Sequence, residues 1–113
     1  MQKDHRELTP PQTQRLTRRY HALAARLSRV GWISQGSVMH APPGAWRWTR
    51  KVRAKTVSVA LSAAQAELMK QAIANQRDLD EVIGEMREIT QKLILGATPG
   101  VPRRTRSQLP NPA

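Results

Sequence analysis

Residues 46–61 read WRWTRKVRAKTVSVAL. Successive side chains of an extended chain point to opposite faces. Over 45–52 this puts Trp46 and Trp48 on one face and Arg47, Thr49 and Lys51 on the other. Over 55–61 it puts Val57, Val59 and Leu61 together, opposed by Thr56, Ser58 and Ala60. Two such runs separated by two residues predict a β-hairpin with its reversal at Arg53-Ala54. The reversal lacks the Asn-Gly or Asp-Gly that favours a two-residue turn.

Outward from the hairpin, Ser62-Ala63-Ala64-Gln65 is a capping-box spacing that opens a helix. That helix is expected to run to about Leu95, with Gly96 behind it. Leu79, Val82, Met86, Ile89 and Leu93 recur along it at a/d spacing over two heptads. On the other side of the hairpin, Ala41-Pro42-Pro43-Gly44 predicts a turn. Residues 31–40 alternate weakly and predict a short strand broken near Gly36. Thr9, Pro10 and Gln12 form a second helix start. Leu16, Tyr20, Leu23, Leu27 and Val30 then mark one apolar stripe on a helix over 10–30, closed by Gly31.

The expected architecture is α+β. An N-terminal helix, a small antiparallel sheet with the hairpin, and a long C-terminal helix form one domain over 9–96, with both helices packed together on one side of the sheet. Residues 1–8 are polar. Residues 97–113 are basic and interrupted by Pro99, Pro102, Pro110 and Pro112, and both ends are expected to be disordered.

Composition narrows the function classes. The chain has 113 residues and no Cys, which excludes disulfides, thiolate zinc sites and thiol nucleophiles. His5, His21 and His40 show no metal-ligand spacing, and there is no GxGxxG or Walker A motif. Asp80, Glu81 and Glu85 read as a solvated helix face rather than a cation site. No cofactor, no metal and no enzymatic activity are therefore expected. The N-terminus lacks an apolar leader core, and no apolar run approaches the about 20 residues that a membrane helix needs. A cytoplasmic protein without membrane contact is the expectation.

The formal charge is +11, unevenly spread. Residues 1–60 hold 12 Lys and Arg against 2 Asp and Glu, whereas residues 61–95 hold 4 against 6. The first half and the tail are therefore the candidate polyanion surface, and the second helix is not. Candidate phosphate contacts are Arg47, Thr49, Arg50, Lys51, Arg53 and Lys55 on the hairpin. Arg15, Arg18 and Arg19 on the first helix and Arg103, Arg104 and Arg106 on the tail join them. A two-stranded ribbon can enter a major groove, and tryptophans can stack on unpaired bases. DNA is expected ahead of RNA.

Each signal has a plainer alternative. Trp46 and Trp48 are expected inside, because a chain with three Trp, one Tyr and no Phe has little other aromatic mass for a core. The arginines of the first helix, Arg26 and Arg29 included, face a downstream acidic run of Asp78, Asp80, Glu81, Glu85 and Glu88 that can neutralise some of them. The stripe Leu79, Val82, Met86, Ile89 and Leu93 is either the seam of a homodimer or the surface that receives the first helix. A protein-interaction module that dimerises through the long helix is thus the alternative to a nucleic-acid binder.

Gly31-Trp32-Ile33-Ser34, residues 46–57, Leu61-Ser62 and Gln65-Ala66-Glu67-Leu68 together resemble a small, uncharacterised bacterial family commonly encoded near transposase genes in mobile elements. The likeness covers most of residues 16–95. Relatives often carry a Cys-rich insertion before the hairpin and a Gly in its turn. Here residues 39–44 are short and Cys-free, and the turn holds Ala54. The resemblance implies a mobile-element setting, with a transposase or another protein as a possible partner, and no particular activity. The hairpin is also similar, more loosely, to the three-stranded arm-type DNA-binding domains of tyrosine recombinases. That similarity implies that Arg47, Thr49, Lys51 and Lys55 face DNA. The combined expectation is a non-enzymatic DNA-binding accessory protein of a mobile element.

Overall fold

The computed structural model describes residues 7–102. Both helices begin where the capping spacings place them. At the first, the Gln12 backbone N–H donates to Thr9 Oγ1 at 3.2 Å and the Thr9 N–H donates to Gln12 Oε1 at 2.8 Å. At the second, the Gln65 N–H donates to Ser62 Oγ at 3.1 Å and the Ser62 N–H to Gln65 Oε1 at 2.9 Å. Each box satisfies N–H groups that a helix start leaves without partners. Helix α1 spans Pro10–Leu27 and helix α2 spans Ala63–Ala97.

Three strands lie between them: β1 Ser37–His40, β2 Trp46–Val52 and β3 Lys55–Leu61. They form an antiparallel sheet in the order β1-β2-β3, the α+β class expected. The register pairs Trp48 with Val38 and Val59, and Thr49 with Ser37 and Ser58. Paired residues share a face, so the two faces of the hairpin are those its alternation predicts.

Arg53 and Ala54 both take positive φ, 52° and 68°. That is a type I′ turn, whose twist matches the strands it joins, here built without glycine.

Several boundaries differ from the sequence reading. Helix α1 ends at Leu27 with Ser28 as its C-cap, so Val30 and Gly31 lie outside it. Residues 31–36 are not a strand. They run along α2 instead, where the Ser34 N–H donates to the Ala72 carbonyl at 3.1 Å and Asn75 Nδ2 donates to the Trp32 carbonyl at 2.8 Å. Gly36 then turns the chain into β1 with φ of 98°.

The helices do pack together, but α1 does not reach the sheet. It lies antiparallel along the second half of α2, while the sheet takes the first half. Three ties hold α1 and its lead-in residues to α2 in a single register: the Leu8 N–H to the Gly96 carbonyl at 2.8 Å, Arg19 to Glu85, and Arg26 to Asp78. The steps along the two chains match, eleven residues and then seven on each. Leu8 is therefore part of the fold, not of a disordered end. At the other end α2 runs through Gly96 to Ala97, past the expected stop near Leu95, and residues 1–6 and 103–113 of the two expected tails lie outside the described residues.

Leu23, fully buried, sits between Val82 and Ile89, with Leu16, Tyr20, Met86 and Leu93 packed around them. Val82, Met86, Ile89 and Leu93 of the a/d stripe of α2 thus receive α1, while Leu79 is half-buried and stands outside this cluster. Around the sheet, burial is confined to Leu61, Ala66, Ala72 and Ile73.

Candidate nucleic-acid interface

α2 crosses the sheet on the Trp face, leaving the other face open. That open face carries Arg47, Thr49 and Lys51 on β2, flanked by Ser37 and Met39 on β1 and by Thr56, Ser58 and Ala60 on β3. Residues 37–61 hold five Lys and Arg and no Asp or Glu. The carboxylates of the described residues belong to Glu7 and to α2, so the field over this face has one sign.

The side chains are tied into a short polar row. Arg47 Nε donates to Ser58 Oγ at 2.9 Å, and Ser58 Oγ lies 3.3 Å from Thr49 Oγ1. Arg47 is therefore held diagonally across the hairpin rather than loose in solvent, and keeps its Nη groups for a ligand. Arg47 and Lys51 lie four residues apart on one strand, about 13 Å at about 3.3 Å per residue. That span is close to the width of a major groove, about 12 Å, and the Thr49 and Ser58 hydroxyls lie between the two cations. Beside Lys51, a notch of about 330 Å³ opens between Gln35, Gly36, Thr49 and Thr56.

The other basic residues of the hairpin do not join this row. The register places Arg50 on the Trp face, where its guanidinium carbon lies 4.0 Å from the Trp48 ring centroid, a cation–π contact. Its Nη1 is buried without a hydrogen-bond partner. Arg53 occupies the turn, and Lys55 pairs with Val52 on the Trp side of the hairpin tip. Strand alternation separates them from Arg47 and Lys51, a consequence that counting cations along the sequence does not reveal.

The tryptophans are half-buried and lie outside the core expected to hold them. Trp48 donates its indole N–H to the Gln35 carbonyl at 2.8 Å. Trp46 stacks on His40 with centroids 4.6 Å apart and lies under Lys70 Nζ at 4.7 Å. Both rings are thus engaged and poorly placed for stacking on bases. Trp32 differs: it is 80% exposed. Asn75, which the sequence reading did not single out, fixes its backbone. The signal was present, since Asn75 stands one heptad before Val82, a polar residue in line with the apolar stripe.

On α1, Arg19 is held by Glu85 through Nε at 2.7 Å and Nη2 at 3.0 Å. The hydrogen bond from Arg19, backed by its charge and that of Arg26, holds the Glu85 carboxyl below its ordinary range, and the same pairing raises Arg19. Arg26 pairs with Asp78 at 3.2 Å. Arg15 and Arg18 form no ion pair among the described residues and remain exposed. They ride on the helix that stands off the sheet, so α1 and the hairpin do not make one continuous basic surface. Arg103, Arg104 and Arg106 lie outside the described residues.

Comparison with family models, curated proteins and solved structures finds no match to this chain. No helix of the described residues is long and apolar enough to cross a membrane.

Proposed function

We propose that the chain is a non-enzymatic DNA-binding accessory protein that lays the open face of its sheet into a groove of the duplex. The observation that carries this reading is the row Arg47, Ser58, Thr49 and Lys51 on a sheet without a single carboxylate. Arg47 and Lys51 take phosphates on opposite rims, and the hydroxyls between them face base edges. Arg15 and Arg18 add phosphate contacts only where the nucleic acid reaches α1. The mobile-element setting rests on resemblance alone.

The test is a fluorescence-anisotropy titration with a duplex, its single strand and an RNA of equal length across a salt series. Duplex preference is expected. Arg47→Ala with Lys51→Ala should lower the slope of log K against log salt by about 2, from about 0.9 for each lost phosphate contact. An unchanged slope overturns the sheet as the contact surface, and a preference for RNA or single strands overturns DNA as the polymer.

A second reading, docking on a transposase or another protein, is favoured by Trp32. Its exposed ring borders a groove of about 420 Å³ formed with Ile33, Leu61, Leu68 and Ala72. Trp32→Ala should abolish partner binding while leaving DNA affinity intact, and equal loss of both excludes a separate docking surface.

A further inference from the structure

β3 is an edge strand, and nothing among the described residues pairs with its outer side. The two-residue turn closes on Val52 and Lys55 as a hydrogen-bonded pair. Hydrogen-bonded and non-hydrogen-bonded pairs alternate along an antiparallel ladder. Val57, Val59 and Leu61 therefore spend their backbone groups on β2, while Thr56, Ser58 and Ala60 turn theirs outward. An exposed row of this kind is a template for another strand.

Natural edges are guarded by proline, bulges or inward charges. From Thr56 to Leu61 this edge has none of them: it is uncharged, free of proline and unbroken in register. α2 does not cover it either. The helix leaves the end of β3 and crosses toward the segment before β1, where Ala72 and Asn75 hold residues 32–34. Val59 is left 40% exposed on the face that should be apolar.

We propose that β3 pairs antiparallel with β3 of a second copy of this chain, about a two-fold axis through Ser58, to make one six-stranded sheet. Ser58 is the midpoint of the strand, so this register engages its full length. It matches Ser58 with Ser58, Thr56 with Ala60 and Lys55 with Leu61. All three outward-facing residues become hydrogen-bonded pairs, and Val59 meets Val57 of the second copy on the apolar face. No like charges are apposed. The same axis joins the two open faces side by side. The core supports the need: among the described residues seven hydrophobic side chains are buried, and Leu23 is the one large side chain fully enclosed. The other candidate seam, the a/d stripe of α2, is occupied by α1 from Val82 to Leu93.

Dimerisation through β3 stands independently of DNA binding. One consequence rests on that reading: two copies of the row Arg47 to Lys51, related by a two-fold axis, select a palindromic site.

The absence of Cys makes the test direct. Hydrogen-bonded partners in an antiparallel pair have Cα atoms about 5.5 Å apart, within disulfide reach. Ser58→Cys should oxidise to a disulfide-linked dimer of twice the 12.7 kDa chain mass. Thr56→Cys and Ala60→Cys, made singly, are moved off the axis and should cross-link at least tenfold more slowly, yet cross-link to each other when mixed. Ser58→Pro removes an N–H that faces outward, so the hairpin should survive by circular dichroism while sedimentation reports monomer. Equal cross-linking at all three positions, or a wild-type chain that sediments as a monomer at about 100 μM, overturns the proposal. So does a folded Ser58→Pro that stays dimeric. None of these readouts contains nucleic acid, so failure here is separate from failure of DNA binding.

Discussion

Arg19 holds both carboxylate oxygens of Glu85, through Nε at 2.7 Å and Nη2 at 3.0 Å, and thereby joins α1 to α2 with a fork whose geometry lysine cannot copy. Arg19→Lys should therefore loosen α1 nearly as much as Arg19→Ala, seen as faster amide exchange along α1. Neither variant should change affinity for a duplex, because the guanidinium is already committed to Glu85. Arg18→Ala should leave exchange along α1 unchanged and lower affinity only for duplexes long enough to reach α1.

The same pair gives a pH dependence with a definite sign. Glu85 has a lowered pKa in the folded chain. Its contribution is complete above the unfolded carboxyl pKa of about 4.3 and is lost as the pH falls through that value toward the folded one. Wild type should lose stability on acidification below about pH 5 more steeply than Glu85→Gln, checked by urea melts at stepped pH. Equal slopes would mean the pair does not contribute.

The hairpin turn offers a stabilising change. Non-glycine residues in the left-handed region cost about 1–2 kcal/mol each, and Arg53 and Ala54 both lie there. Ala54→Gly should raise stability by up to about 1 kcal/mol, the rest being offset by added freedom of the unfolded chain. The urea midpoint reads the gain. Arg53→Asn with Ala54→Gly should gain more.

Gly36 predicts the opposite. A Cβ there would collide with the Thr49 carbonyl oxygen, at a φ of 98°. Gly36→Ala should cost about 2 kcal/mol or more and free β1 from β2, with the Trp48 indole losing its bond to Gln35. Heteronuclear NMR of the Trp48 indole N–H is the direct check.

Leu23 carries the helix pair. Leu23→Ala should cost about 2–5 kcal/mol. Met86→Lys should act like it, detaching α1 from α2 rather than splitting a dimer, since Met86 packs in that core. Loss of helical ellipticity with an unchanged oligomeric state distinguishes the two effects.

Much of this fold is legible in the sequence because the decisive signals are local. The two capping boxes are short-range hydrogen bonds, and the faces of the hairpin follow from alternation alone. The end of α1 is not legible, because Val30 continues the apolar spacing while Ser28 closes the helix and Gly31 approaches Asn75, a partner 44 residues away. The placement of α1 on the far half of α2 depends on which acids meet Arg19 and Arg26, and composition offers five. At the candidate site, Arg47, Thr49 and Lys51 follow from their shared parity. Arg50 and Lys55 were grouped with them by charge, which ignores the face each residue takes. The exposure of Trp32, unlike its place in the Gly31-Trp32-Ile33-Ser34 motif, is not legible, because exposure of an aromatic residue is a property of what fails to cover it.

Because the sheet and α1 occupy separate halves of α2, the chain carries its own pair of optical reporters. Trp32, Trp46 and Trp48 all belong to the sheet end, and Tyr20 alone belongs to the helix pair. Indole emission follows one half, and the phenol band, resolved from indole by second-derivative absorption, follows the other. A denaturation curve followed by both signals tells whether the two halves of α2 and what they carry melt as a single cooperative unit or one after the other, with no label attached.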